Sequence, residues 1–559
     1  MRSIRLACLI CLAGLPAAAE VYEVGPDQTL QAVGQVPWES LQAGDEVRIH
    51  WREQAYFEKF VIGRRGEQAA PIVVRGVPGP RGQLPVLDGR DATTRSGLNY
   101  WNEDRGLVKI GGSNQPPDTT PAWIVIENLC IRSARPPHTF TGRDGLTAYR
   151  ENAAAVYIEK GEHIVLRGLE IADSGNGLFC AAATRDLLVE GCWIHDNGME
   201  DDIYVHNNYT EALGIVFQYN HFGPLREACR GSNLKDRSAG LIVRYNWIEG
   251  GNRQLDLVDA EDSAELVAHP SYRQTFVYGN VLIEPDGAGN SQILHYGGDS
   301  GTTSDYRKGT LFFHYNTVVS TRSGNTTLMR LSTNDELAEC RNNVIYTTEP
   351  GQRLAMLDAT GQLSLRHNWL RAGWRDSHSG LVGSIDDDGS NLTGEAPGFE
   401  DLASQDFHLA EGSACIDRGG ALHPDVVPDH LPGRQYVRHQ RSENRPDDGQ
   451  ADIGGFELCP PGGCEAPDGG PIDADGGEAD ADGDGGGDGG EGGDWGGDES
   501  LDAGDGSGPA ADRGDPAGGE RGDAVSGGCG CASSGPAPSW WLPILLGLLA
   551  IAAGRSRRA

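Results

Sequence analysis

A short recurring phrase constrains the fold of this 559-residue chain more than any other feature. Each copy is a β-rich run that ends in Asn or Gly, and an apolar pair or triplet follows most copies. Successive phrase ends, here called anchors, are 40, 23, 29, 26, 34, 36, 27 and 25 residues apart. Steps in the twenties suit one coil of a β-solenoid, and the longer steps indicate inserted loops. The anchors are Asn128, Gly168, Gly191, Asn220, Asn246, Asn280, Asn316, Asn343 and Asn368.

The residue pattern within each phrase is typical of strands. Apolar and polar residues alternate with the period of a strand and not that of a helix. Asn suits the bend between strands because it tolerates left-handed backbone and bonds nearby backbone groups. Stacked coil upon coil, these amides form a ladder inside the solenoid. A β-sandwich with similar strands is the alternative, and nine matched anchors disfavour it. We therefore predict an all-β chain whose body is a single-stranded, right-handed parallel β-helix.

The two ends of the body indicate export and an acidic linker. Residues 1–19 have a basic start, an apolar stretch and a small-residue cleavage site, as in a secretory signal. The β-helix is predicted over residues 20–464. Residues 465–528 hold 19 Asp and Glu against Arg513 and Arg521, which gives a net charge of −17. Such a segment buries too little apolar surface to fold, so we expect a disordered linker. The acidity also argues against nucleic acid as a partner.

Twelve cysteines are present, and the signal contains two of them. Export makes disulfides possible. Cys459 and Cys464 are the best candidates for a pair because they are close in sequence, and other pairings cannot be deduced. The body lacks the paired short spacings with nearby His that a zinc site needs.

The C-terminal segment, residues 529–559, has three parts. Cys529 and Cys531 come first, an apolar stretch predicted as a short transmembrane helix over 540–554 follows, and a basic end closes the chain. The apolar run is shorter than the ~20 residues of a comfortable span, and the arginines should stay cytoplasmic. The segment resembles the myxobacterial C-terminal sorting tail. That resemblance implies a sorting protease, attachment through the membrane and a β-helix displayed on the cell surface or outer membrane. A plain C-terminal anchor is the alternative.

One outer sheet face is predicted to carry charged side chains on consecutive coils. If Leu234 and Leu255 point inward, strand alternation sends Lys235 and Asp256 outward. These two residues are 21 positions apart, close to one coil, so we expect them on adjacent rungs. The same reasoning adds the following side chains to this face: Asp202, Tyr204, His206, Asn233, Arg237, Gln254, Val258, His295 and Arg330.

This face suits an anionic sugar. Elimination at a uronate needs a cation on the carboxylate, a base beside it and an acid for the leaving oxygen. Lys or His can act as base, Arg can clamp the carboxylate, and Tyr or His can act as acid. We predict catalytic roles for Lys235, Arg237, His206 and Tyr204. The predicted substrate contacts are Asn233, Arg253, Gln254, His295 and Arg330.

Three segments resemble the ends of the pectate-lyase-like β-helix superfamily: Ala43–His50, Ala70–Gly76 and Asp447–Glu457. The stretch Asn233–Ser238, followed by Tyr245 and Asn246, also resembles the chondroitinase-B and alginate-lyase type of β-helix enzyme. There a lysine is the base, which implies that role for Lys235, an arginine assists, and acidic residues hold calcium. The calcium candidates here are Asp256, Asp259 and Glu261, although the chain lacks a clear match for the family's acidic cluster.

Three functions follow from these patterns. The first is a monomeric surface enzyme that cleaves an acidic polysaccharide by β-elimination. The second is a non-catalytic surface binder or adhesin that uses the same face. The third is a β-helix glycoside hydrolase, for which Asp202 and Asp256 are the nearest pair of carboxylates.

Overall fold

A computed structural model describes residues 19–458 of the chain. Several predicted features lie outside these residues: most of the signal, the Cys459–Cys464 pair, the linker at 465–528, Cys529 and Cys531, and the apolar stretch at 540–554. Across residues 19–458, no helix is long and apolar enough to cross a membrane.

The described chain is a parallel β-helix built from three stacks of strands, called sheets I, II and III. The strands of sheet I are Val21–Val24, Glu46–His50, Ile72–Val77, Ala122–Glu127, Ala154–Arg167, Asn176–Glu190, Asn208–Gln218, Ala239–Arg244, Gln274–Tyr278, Thr310–His314, Leu337–Arg341, Gln362–Arg366 and Ser384–Asp387. Those of sheet II are Val86–Asp88, Cys130–Arg132, Glu170–Ala172, Trp193–His195, His221–Phe222, Trp247–Glu249, Val281–Glu284, Thr317–Ser320, Val344–Thr347, Trp369–Arg371 and Leu392–Gly394.

Sheet III precedes sheet I in each coil. Its separate strands are Glu58–Ile62, Gly106–Ile110, Leu234–Asp236, Leu255–Leu257, Gln292–Tyr296, Thr326–Leu331 and Leu354–Leu357. In three central coils one long strand serves both sheets: the first half of Ala154–Arg167 pairs with Gly106–Ile110 in sheet III, and its second half pairs with Ala122–Glu127 in sheet I. Asn176–Glu190 and Asn208–Gln218 continue the same arrangement.

The remaining elements are short. Side strands of the N-terminal half are Ala92–Thr94, Asn99–Tyr100, Ser113–Gln115, Thr139–Gly142 and Gly145–Ala148. Two hairpins follow the last coil, Phe399–Asp401 with Asp406–Leu409, and Arg434–Val437 with Arg441–Asn444. The α-helix is Ala264–Ala268, and the 3-10 helices are Val33–Gln35, Trp38–Ser40, Glu103–Arg105, Pro270–Arg273 and Gly351–Arg353.

Strand alternation fills the interior as the phrases predict. In Ala122–Glu127, Ile124 and Ile126 are fully buried, and Val125 between them faces outward. The apolar residues after each anchor enter sheet II, where Ile131 and Ile248 join the same core. The prediction of a parallel solenoid is therefore confirmed, since one apolar row from each sheet stacks along the axis.

An asparagine ladder runs inside the turn between sheets I and II, as predicted. Asn246 donates its backbone N–H and its side-chain amide to Oδ1 of Asn280, at 2.9 and 3.0 Å. The left-handed residue, however, is the one before each Asn, such as Tyr245 at φ 54°. In the early coils the anchor itself is left-handed, as at Gly168 with φ 57°. The left-handed residue of the turn therefore coincides with the anchor in the early coils and lies one position before the anchor in the later coils.

Residues 395–458, which follow the last coil, fold back over the outside of the coils. Phe407 stacks on Trp247 of sheet II at 5.5 Å between ring centroids. His430 stacks on Phe276 of sheet I at 3.6 Å. Among residues 19–458, the six cysteines are all free thiols. The segment thus covers apolar rows on sheets I and II and leaves sheet III to the loops described next.

Candidate functional site on sheet III

One outward column of side chains crosses successive rungs of sheet III. Lys235 pairs with Asp256, Asp256 with His295, and His295 with Arg330. The predicted adjacency of Lys235 and Asp256 is confirmed, and so is its continuation to Arg330. On the other side of Lys235, the neighbour is Tyr209.

Lys235 lies between two carboxylates. Its Nζ is 3.0 Å from Asp256 on the next rung and 2.5 Å from Asp299, which belongs to the loop 297–309. Asp256 is 3% exposed. Burial alone would raise the pKa of Asp256, but Lys235 and His295 hold that pKa well below its usual range. Asp256 is therefore a permanent anion that fixes the lysine side chain in the column.

A hydrogen-bonded chain extends from Asp256 to the covering loop. Nδ1 of His295 is 2.9 Å from Asp256 Oδ1, and its Nε2 is 2.9 Å from Ser332 Oγ. Ser332 Oγ also accepts the backbone N–H of Gly298 at 2.8 Å. Burial lowers the pKa of His295 despite the adjacent carboxylate. The neutral imidazole thus connects the column to the start of the loop.

Arg237 follows the strand of Lys235 and is almost completely surrounded. Its Nε donates to the Tyr209 hydroxyl oxygen at 2.7 Å, and Nη1 donates to the Asp259 carbonyl at 2.6 Å. Its Nη2 faces Asp299 at 2.8 Å and Glu261 at 3.0 Å. Arg237 therefore orients the Tyr209 hydroxyl with one nitrogen and binds carboxylates with another.

Tyr209 takes the place that the sequence analysis gave to Tyr204. Burial raises the pKa of Tyr209 despite the adjacent Arg237, so the phenol keeps its proton. Tyr204 is 77% exposed in a loop, and Ile203, expected inward, is 52% exposed. Prediction of a strand over 202–206 was wrong because this segment is an outward excursion between sheets II and III. Coil arithmetic could have found Tyr209: it precedes Lys235 by 26 residues, the step from Asn220 to Asn246.

His206 ends that excursion and returns to the site. It is 2% exposed, and its ring stacks on Tyr209 at 5.8 Å between centroids. Burial, with a smaller effect of the Lys235 charge, lowers the pKa of His206 to about 3. Ser232 donates its backbone N–H to Nδ1 at 2.9 Å. The proton of this neutral imidazole therefore lies on Nε2, where it is a donor.

Three residues that were predicted on the outer face, two of them as substrate contacts, are not there. Asn233 is fully buried, and its amide belongs to a second ladder with Asn207 in the turn before sheet III. Gln254 is 1% exposed and donates to the Gly250 carbonyl. Val258 is fully buried as well. These three positions precede or follow short strands, where turns override simple alternation.

The two predicted arginine contacts differ in exposure. Arg253 is half-buried, donates to Gln292 at 2.9 Å and lies 3.8 Å from Asp256. Arg330 is exposed at the far end of the column. Both remain positioned to face a ligand along sheet III.

The calcium candidates are held by other groups of the protein. Asp256 is bound by Lys235, and Glu261 faces Arg237. Asp259 accepts hydrogen bonds from the backbone of Asp299 and from the Ser300 hydroxyl. Within residues 19–458, no three His, Cys, Asp or Glu side chains are grouped so as to hold a metal ion. The donor set therefore does not fit calcium, because cationic and N–H partners already occupy these oxygens.

Loops flank the column on both sides, and the strip of sheet III between them is here called the groove. The loops at 258–273 and 297–309 leave sheet III and carry Glu261 to Arg237 and Asp299 over Lys235 and Arg237. On the opposite side, the loops that enter sheet III line an open cavity of about 700 Å³. Its lining includes Ile203, Leu225, Arg230, Asn252 and Asp286.

The molecule is thus a parallel β-helix with a charged and hydroxyl-bearing groove on one sheet. No protein-family model matches the sequence, and no curated protein matches it at a significant level. Among solved structures, it is similar to an alginate lyase from Paenibacillus sp. str. FPU-7, with 12% identity over 62% of this chain and 93% of the other, at a TM-score of 0.38.

Two further solved structures are similar at the same level. The pectate lyase Pel9A is 10% identical over 78% of this chain and 96% of its own, with a TM-score of 0.41. The lacto-N-biosidase of Eubacterium ramulus is 13% identical over 67% of this chain and 68% of its own, with a TM-score of 0.35. A parallel β-helix can carry several chemistries, so the function depends on the residues of the groove and not on the fold alone.

Proposed function

We propose that this protein is a lyase that cleaves a uronate-containing polysaccharide by β-elimination in the groove of sheet III. The observation that carries the proposal is that two cations meet on one carboxylate. Lys235 Nζ and Arg237 Nη2 lie 2.5 and 2.8 Å from the two oxygens of Asp299. A uronate offers the same ligand: Arg237 stabilises the charge that grows on it during proton loss, and Lys235 adds a second positive charge as it takes the proton.

The groups needed for the proton transfers surround that carboxylate position. The proton to be removed lies on the carbon that bears the uronate carboxylate, so the base must stand beside the carboxylate site. Lys235 does so, and we assign its neutral amine as the base, which becomes the ammonium as it takes the proton, while Arg237 neutralises the carboxylate. Tyr209, protonated and oriented by Arg237 Nε, donates to the leaving oxygen. The Nε2–H of His206 supplies a further donor.

The proposed site of action is the cell surface. The basic and apolar start of the chain, the acidic linker and the Cys-bearing tail support export and attachment through the membrane after recognition by a sorting protease. A surface position suits a polymer too large to enter the cell. Its test is whether surface protease treatment of intact cells removes the β-helix.

The catalytic test uses alginate, pectate and chondroitin with the full chain. Ultraviolet absorbance reports the unsaturated product of elimination. Lys235→Arg keeps the positive charge but removes the base, so product formation should fall about 10²- to 10⁴-fold. Lys160→Met is the matched control, since Lys160 pairs with Asp118 away from the groove.

The outcomes separate the candidate functions. Full activity of Lys235→Arg would overturn the assignment of the base. Binding of a uronate polymer without any product favours the adhesin. New reducing ends without ultraviolet absorbance favour a glycoside hydrolase.

A further inference from the structure

The covering loop at 297–309 places a carboxylate of the protein itself on the two site cations. Asp299 Oδ2 lies 2.5 Å from Lys235 Nζ, and Oδ1 lies 2.8 Å from Arg237 Nη2. The Asp299 side chain is 33% exposed, whereas those of Lys235 and Arg237 are 8% and 5% exposed. Asp299 therefore approaches the cations from the solvent side and shields them from it.

The other partners of these cations lie deeper or to one side. Asp256 holds Lys235 from the neighbouring rung of the sheet. Tyr209 and the Asp259 carbonyl hold Arg237 from the wall of the groove, and Glu261 reaches Nη2 from the adjacent loop. Departure of Asp299 would leave all of these contacts in place and would open one carboxylate-sized position between Nζ and Nη2.

We propose that Asp299 is a built-in stand-in for the substrate carboxylate, which a uronate of the polymer must displace to bind. This inference rests on the proposed function and adds a self-blocked resting state to it. The chemistry of the exchange is balanced, because one carboxylate leaves the two cations and another replaces it. Occupation by Asp299 lowers the fraction of protein that is ready to bind, so the apparent affinity for the polymer falls by that fraction.

The contacts of the loop at 297–309 permit this exchange. Its near end is held by polar contacts: the backbone N–H groups of Gly298 and Asp299 donate to Ser332 and Asp259, both at 2.8 Å. Residues 301–304 are exposed. Few apolar contacts oppose local opening of such a segment. The far end is fixed, because Arg307 is fully buried and donates to the Val258 and Ser238 carbonyls.

The test replaces the stand-in and measures affinity. Asp299→Asn keeps the shape of the side chain and removes its charge. Binding of glucuronate, mannuronate and galacturonate oligosaccharides is measured for the full chain by calorimetry. We expect Asp299→Asn to bind the recognised oligosaccharide at least about tenfold more tightly than the wild type, because the competing anion is gone. Asp118→Asn is the matched control, since it removes a carboxylate from Lys160 away from the groove.

A second measurement needs no substrate. Amine-reactive labelling followed by peptide mass spectrometry reports the accessibility of Lys235, which should be labelled several-fold faster in Asp299→Asn than in the wild type. A gain of this kind cannot come from loss of folding if the melting temperature is unchanged.

The possible results are distinct. Wild-type binding with equal or weaker binding by Asp299→Asn, or unchanged labelling of Lys235, would overturn the stand-in and leave the proposed function intact. Absence of uronate binding by both proteins, each folded, would overturn the proposed function and the stand-in together.

Discussion

Because the asparagine ladder is buried, we expect the loss of one of its members, Asn280, to lower the free energy of unfolding markedly. Its side-chain amide donates to the Val243 and Tyr278 carbonyls and to Oδ1 of Asn316. Its Oδ1 accepts two hydrogen bonds from Asn246, one from the backbone and one from the side chain. All of these groups lie in a turn where the asparagines are fully buried. Asn280→Ala removes the partner of the buried Asn246 backbone N–H, whereas the Asn246 side-chain amide keeps the Phe217 and Arg244 carbonyls.

The expected loss follows from that one stranded donor. A buried unsatisfied group costs about 1–3 kcal/mol, and the Val243 and Tyr278 carbonyls lose a donor as well, so Asn280→Ala should lower the free energy of unfolding by about 2–4 kcal/mol. Urea unfolding followed by circular dichroism measures it. Asn391→Ala is the control, since Asn391 ends the ladder and is only half-buried. A loss under about 1 kcal/mol, or a loss equal to that of Asn391→Ala, would refute the reasoning.

Three further predictions concern pH, catalysis and metal. Burial lowers the pKa of His314 to about 4, below its value in the unfolded chain. The contribution of neutral His314 to the free energy of unfolding is therefore complete above about pH 6.5 and is lost as the pH falls toward 4, with a loss of about 2 kcal/mol at pH 5. Thermal melts of His314→Gln should show a smaller loss at pH 5 than those of the wild type. Tyr209→Phe should lower product formation about 10²- to 10⁴-fold with little change in binding, and retained activity would exclude the phenol as the acid. Calcium or a chelator should change the melting temperature by less than about 1 °C, because the candidate carboxylates are already paired with protein groups. A rise of several degrees with calcium would instead support a calcium site at these carboxylates.

The sequence predicted the part of the site that follows strict coil geometry. Lys235, Asp256, His295 and Arg330 each follow an inward Leu or Met on a short strand, so alternation and coil length place them correctly. The same logic failed wherever the chain leaves the strands. Asn233 reads as an outward polar residue, but it is the first residue before a strand and its amide belongs to an internal ladder. Local alternation does not distinguish these two environments.

The role of Asp299 could not be deduced from periodicity. It lies 64 residues after Lys235 in an insertion that belongs to no strand. Only the folded chain brings that insertion back across two earlier rungs. The long step from Asn280 to Asn316 indicates an insertion there. The length of the step does not indicate which side chain of the insertion reaches the site.

The long steps nevertheless have a physical meaning that joins fold and site. Steps of 34 and 36 residues separate Asn246, Asn280 and Asn316, and both extra lengths lie between sheet III and sheet I. One insertion supplies Glu261 and the other supplies Asp299, and both side chains converge on Arg237. A cation as buried as Arg237 is tolerated only where carboxylates and hydrogen-bond acceptors surround it. The insertions that lengthen these two coils are therefore the same segments that keep Arg237 charged and oriented, and they shield Lys235 and Arg237 until another carboxylate replaces Asp299.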